Sequence, residues 1–289
     1  MNSKNLFKDY LVYPNECDDR LSRTILGKDN TGTYKQIPVI EERPLTIFLN
    51  SQEIVTSMTI GDYPEYLALG FLKNQGMLQK DDEVSSVDYD EDLETIVVRT
   101  SRATNYEHKL EKKTLTSGCS VGTVFGDIME GLENVRLKGT KVKTSWLYTL
   151  TRKINTTPSL YLKVGAIHGT VLCYEDRTLA YMEDVGRHNA VDKIAGWMFS
   201  NKVYPEDKIL YTTGRLTSEM IIKTANMGIP TLVSRSGFTA WGIDIAKRVG
   251  LTVIGRLRGK RFICFSGFER LVWDENEESE TDSNEKQLR

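Results

Sequence analysis

Between Lys208 and Gly255 short apolar runs alternate with amphipathic ones, and this alternation limits the possible folds more tightly than anything else in the sequence. Lys208-Ile209-Leu210-Tyr211-Thr212-Thr213 precedes a helix-period segment over 218–227, and Thr231-Leu232-Val233-Ser234 precedes another over 240–249. Leu251-Thr252-Val253-Ile254-Gly255 closes the series. Brief apolar runs, each followed by a helix, predict strands of a partly parallel sheet with helices packed on it. A helix over 145–155 and apolar segments over 159–165 and 169–174 lead into the series. The expected fold is α/β.

The first half reads as mixed α and β. Arg43 to Asn50 and Glu53 to Ile60 alternate apolar and polar side chains across a polar turn at Asn50-Ser51, which predicts a hairpin after a polar leader. Asp62 and Pro64 at the head of 63–72 predict a helix capped by Asp62, and Leu93 to Val98 predicts a further strand. These patterns divide the chain into a smaller α+β N-terminal region at 1–138, an α/β domain at 139–270 and a tail at 271–289. In the tail Glu275, Glu277, Glu278, Glu280, Asp282 and Glu285 occur without apolar periodicity, which predicts disorder.

Charge narrows the range of partners. Thirty-eight Lys and Arg stand against 40 Asp and Glu, which argues against nucleic acid or a membrane surface and requires any anion site to be local. The sequence has no run of about 18 apolar residues and no apolar leader, so a cytoplasmic protein is expected. Its four cysteines, Cys17, Cys119, Cys173 and Cys264, are scattered, as suits a reducing compartment.

Three of the strands end in polar, glycine-bearing turns: Thr212 to Glu219 with Gly214 and Arg215, Ser234 to Thr239 with Ser236, and Gly255-Arg256-Leu257-Arg258-Gly259-Lys260-Arg261. Strand ends of an open α/β sheet converge on a crevice where helix N-termini offer free N–H groups to anions, and arginines add charge-assisted bonds. A phosphate or nucleotide site is one reading; capped helices on a solvated surface are the other. The Walker and dinucleotide glycine fingerprints are missing, which weakens ATPase and dehydrogenase readings. Cys119 sits among small residues in Thr116-Ser117-Gly118-Cys119-Ser120-Val121-Gly122-Thr123, a setting that can expose a thiol, although a small buried hydrophobe is the alternative. Cys173 and Cys264 fall in apolar strand patterns and read as core. His168 and His188 could orient a substrate, move protons or simply fill structure. Close zinc-ligand spacing is lacking, and no permanent metal site is expected.

Taken in order, these segments resemble the FdhD family of formate dehydrogenase accessory proteins. The anchor is Glu183-Asp184-Val185-Gly186-Arg187-His188-Asn189-Ala190-Val191-Asp192-Lys193, supported by Glu42-Arg43-Pro44-Leu45, Leu67-Ala68-Leu69-Gly70-Phe71-Leu72, the Cys119 loop, Gly165-Ala166-Ile167-His168 and Gly214 to Glu219 with Lys223. The resemblance implies a cytidine-deaminase-like layered C-terminal domain without deaminase chemistry. It implies sulfur transfer from a cysteine desulfurase, through a Cys119 persulfide, to the molybdenum or tungsten bis-molybdopterin guanine dinucleotide cofactor, which is bound as substrate before it reaches formate dehydrogenase. Arg256 to Arg261 align with the family's cofactor-binding segment; Gly214, Arg215, Ser236, His168 and His188 are expected beside it. A homodimer is a further expectation. Departures are the single loop cysteine where many members have C-G-x-C-G, Ala166 where a second glycine is usual, and Phe238 in place of proline. The competing readings are a cofactor chaperone in which Cys119 is only a contact, and a cysteine hydrolase using His168 or His188.

Overall fold

The computed structural model describes residues 10–78, 82–101, 132 and 135–274. The expected Cys119 loop and nearly all of the acidic tail lie outside the described residues. Six strands form the main sheet: β8 (His168–Tyr174), β9 (Arg177–Asp184), β10 (Lys208–Thr212), β11 (Thr231–Ser234), β12 (Thr252–Arg258) and β13 (Arg261–Ser266). Their order is β13-β12-β11-β10-β8-β9. The middle three run parallel, and β8, β9 and β13 pair antiparallel to their neighbours.

Neighbouring residues on these strands enter opposite cores, as the period of two requires. Leu172, Leu210, Leu232 and Val253 bury against helices α4 (Arg187–Ser200), α5 (Ser218–Asn226) and α6 (Ala240–Val249). Val171, Tyr211, Val233 and Ile254 bury with Leu147, Leu150 and Ile154 of helix α2 (Thr144–Thr156). Cover on both faces explains why the strands read as continuous apolar runs. The segment 159–165 is a short helix, α3 (Leu160–Lys163), because Ser159 caps it at Leu162 N.

The N-terminal part holds a second sheet, ordered β4-β3-β6-β5. Strands β3 (Arg43–Leu49) and β4 (Gln52–Thr59) form the expected hairpin, with β5 (Val84–Asp90) and β6 (Thr95–Thr100) beside them. Helix α1 (Pro64–Asn74) packs between this sheet and α4. An added Cβ at Gly70 would sit 1.7 Å from Asp192 O, and one at Gly196 would sit 1.9 Å from Tyr66 O, so two glycines set how closely the helices approach. The polar leader carries an unexpected ribbon, β1 (Ser22–Lys28) and β2 (Tyr34–Ile40), and Val12 bridges to Ala180 at the edge of β9. Near the chain's end β14 (Leu271–Val272) pairs with β7 (Val142–Lys143).

Candidate anion-binding site at the strand edge

Parallel strands deliver their C-terminal ends to one edge of the sheet, and the antiparallel pair β8–β9 turns His168 and Asp184 towards the same edge, where they stand opposite each other in register. Helices α4, α5 and α6 all begin there. Thr239 caps α6 by accepting from Gly242 N, whereas α4 and α5 have no cap from their N-cap side chains. Buried helix N–H groups without caps seek another acceptor.

Hydrogen bonds between successive turns build the edge. Thr213 Oγ1 accepts from Gly169 N at 3.0 Å and lies 3.3 Å from His168 Nδ1. Gly214 N donates to Thr212 Oγ1 and Gly214 O accepts from Ser234 Oγ. Ser236 N donates to Ser234 Oγ, and Ser236 O accepts from Arg256 N at 2.9 Å. Gly214, Arg215, Ser236, His168 and Arg256 are thereby gathered in one place. At Gly214 a Cβ would meet Arg187 Cβ at 3.0 Å, so the glycine lets Arg187 lie on the turn.

The electrostatics favour an anion. Burial first, then Arg187 and Arg215, then His188 lower the His168 pKa. His188 Nε2 is 2.9 Å from Glu219 Oε2, yet burial, with Lys223 and Arg187 beside it, still leaves its pKa lowered. Both imidazoles are thus neutral donors or acceptors near neutral pH. Arg187 Nε, His188 Nδ1 and Thr217 Oγ1 are buried without a hydrogen-bond partner among the described residues. Unmatched buried polar atoms are costly, and three of them lie together at adjoining helix starts, where an acceptor or donor from outside could pair with them.

The cationic run 256–261 divides. Arg256 takes a left-handed φ of 57° at a bulge and lies over the Phe238 ring, on the crevice side. Leu257 is 1 % exposed within the α2-side core, so its side chain is closed to any ligand. Arg258 pairs with Arg261 across a turn through Gly259 (φ 59°), and Lys260 reaches the Tyr148 ring of α2. Arg258, Lys260 and Arg261 are exposed, and Lys260 lies on the α2 side, apart from Arg256.

The anchor motif is mainly structural. Buried Lys193 is ion-paired with Asp62 and with Asp184 at 2.7 Å, and it donates to Glu183 O. Asp184 also accepts from Thr59 Oγ1, Gly186 N and Asn189 Nδ2, while Asp192 takes Lys223 and Asn74. Burial works against the Lys193 charge, but Asp184 and Asp62 outweigh it and raise its pKa. The expected Asp62 cap of α1 is therefore wrong: the N-cap is Tyr63, without a side-chain bond, because Lys193 takes the Asp62 carboxylate. Arg187 and Thr217, which carry unmatched atoms at these helix starts, join the candidate residues only in the structure. Cys173 is wholly buried and its thiol pushed far up by burial. Cys264 is half-buried, its thiol pushed up to about 11 mainly by burial. Neither is set up as a nucleophile.

Fold and edge define the class: an α/β protein that gathers arginines, histidines and two helix starts without side-chain caps at the strand ends of one sheet edge. The FdhD/NarQ family model matches residues 40–272, and the chain belongs to that family. It is 32% identical over 260 residues to the sulfur carrier protein FdhD of Listeria monocytogenes serovar 1/2a, covering 88% of this chain and 100% of the relative. Identity to the protein of the same name from Wolinella succinogenes is 31% over 244 residues, covering 83% and 85%. A crystal structure from Desulfotalea psychrophila, described as a formate dehydrogenase accessory protein, superposes with a TM-score of 0.71 at 28% identity, covering 87% of this chain and 100% of that one.

Proposed function

We propose that this chain is a sulfur carrier for formate dehydrogenase maturation. A cysteine desulfurase loads Cys119 as a persulfide. The terminal sulfur then passes to the molybdenum or tungsten bis-molybdopterin guanine dinucleotide cofactor, the substrate held at the strand edge. In the transfer the S–S bond breaks and Cys119 keeps the electron pair as thiolate. The acceptor takes sulfur as a neutral atom and is oxidised by two electrons. Arg187, Arg215 and Arg256 would neutralise phosphate oxygens, the uncapped starts of α4 and α5 would donate N–H groups, and His168 and His188 would orient the nucleotide. The order of the main sheet supports reading this layer as deaminase-like in shape.

The observation that carries the reading is the buried, unmatched trio Arg187 Nε, His188 Nδ1 and Thr217 Oγ1 beside the strand ends; the relatives' names supply the sulfur. Calorimetry with GDP, a fragment of the cofactor, tests the site. Arg187→Ala should weaken binding by about 1.5–3 kcal/mol, the range for a charge-assisted bond, and exposed Arg215→Ala by less than about 1 kcal/mol. Affinity left unchanged in Arg187→Ala while Arg258→Ala/Arg261→Ala abolishes it would move the phosphates to the hairpin.

A further inference from the structure

The outer wing of the cationic run belongs to a continuous exposed ledge. Trp273, 70% exposed, stacks on Phe262 at 5.7 Å, and Phe262 packs on Tyr148 at 6.3 Å. Lys260 Nζ lies 5.6 Å from the Tyr148 centroid, and Lys143 Nζ lies 5.6 Å from that of Trp146 on the same helix. Arg258 and Arg261 are exposed at the turn of the same hairpin. Aromatic rings and cations so arranged suit a segment that brings carboxylates.

Such a segment leaves from the ledge itself. Asp274 is pinned there, accepting from Ser145 N at 3.0 Å, Thr144 Oγ1 at 3.1 Å and Ser145 Oγ at 2.6 Å. After it come Glu275, Glu277, Glu278, Glu280, Asp282 and Glu285, against Lys286 and Arg289. From Trp273 to Lys260 Nζ the path through the rings is at most about 18 Å, a span of about six extended residues at ~3.3 Å each. The first carboxylates are within reach of the cations. The family match ends at residue 272, before this segment.

We propose that the acidic segment from Glu275 to Glu285 docks on the aromatic and cationic ledge of its own chain and screens Arg258, Lys260 and Arg261 from other anions. The screening clause rests on the proposed cofactor site; the docking does not.

Zero-length carbodiimide coupling of the full chain, run on a dilute mixture of nitrogen-15-labelled and unlabelled protein, joins a carboxylate to a lysine only at ion-pair distance. Peptide mass spectrometry should find tail carboxylates joined to Lys260 or Lys143 within single-isotope peptides. Absence of such links, or links found only between labelled and unlabelled chains, would overturn the proposal, the latter by assigning the ledge to a second copy. Replacing the six acids by their amides in the full chain should also raise GDP affinity roughly threefold to tenfold at low salt, a gain that vanishes at high salt. If GDP binds neither form, the cofactor site fails while the cross-links still decide the docking.

Discussion

Glu183, the first residue of the motif that carries the family resemblance, has a structural role. Its carboxylate is fully buried and accepts from Leu160 N at 2.8 Å and Tyr161 N at 2.9 Å, pinning α3 ahead of His168. Burial, opposed by those two N–H groups, raises its pKa from 4.5 to about 7. Because the folded value lies above the unfolded one, its stabilising contribution is fully present below about pH 4.5 and is lost as pH rises to about 7, by up to about 1.4 kcal/mol per pH unit. Urea midpoints of the parent protein should therefore fall relative to Glu183→Gln between pH 5 and 7; parallel curves would show that this carboxyl does not titrate there. At the next turn Gly165 and Ala166 have φ of 72° and 51°. The glycine normally found at the second position matches this left-handed backbone, and the alanine keeps the same geometry at a cost of roughly 1–2 kcal/mol.

Among the elements, the crossing of α1 and α4 depends on two residues without side chains. Gly70→Ala would drive a methyl group into the Asp192 carbonyl, which backbone cannot absorb by changing rotamers. The helices must separate, loosening Asn74 on Asp192 as well. A loss of about 3 kcal/mol or more is expected, seen as a lower denaturant midpoint; a midpoint within error of the parent would mean that the crossing is not tight. The main strands and helices were legible because their apolar periods match their burial. The ribbon β1–β2 was not, since its side chains are largely exposed and leave no alternation to read. Nor was the true role of Asp62, whose partner Lys193 lies 131 positions away.

For the molecule as a whole, the strand edge was legible as three glycine-bearing turns, and the structure brings two of them, with Arg256 from the third, to one crevice. What the sequence hid was the division of the last turn, in which Arg256 lies over the Phe238 ring and Lys260 over the Tyr148 ring of α2. Arg187 was hidden too, since only folding lays it on Gly214. The proposed role of this edge is to serve a sulfur carried on Cys119. It is tested most directly by incubating the full chain with a cysteine desulfurase and cysteine, then mapping the added sulfur by intact and peptide mass spectrometry. One reducible sulfur is expected on the peptide containing Cys119, absent from Cys119→Ser while Cys173→Ala and Cys264→Ala still carry it. Sulfur retained by Cys119→Ser, or none on the parent chain under conditions that load another carrier, would contradict it.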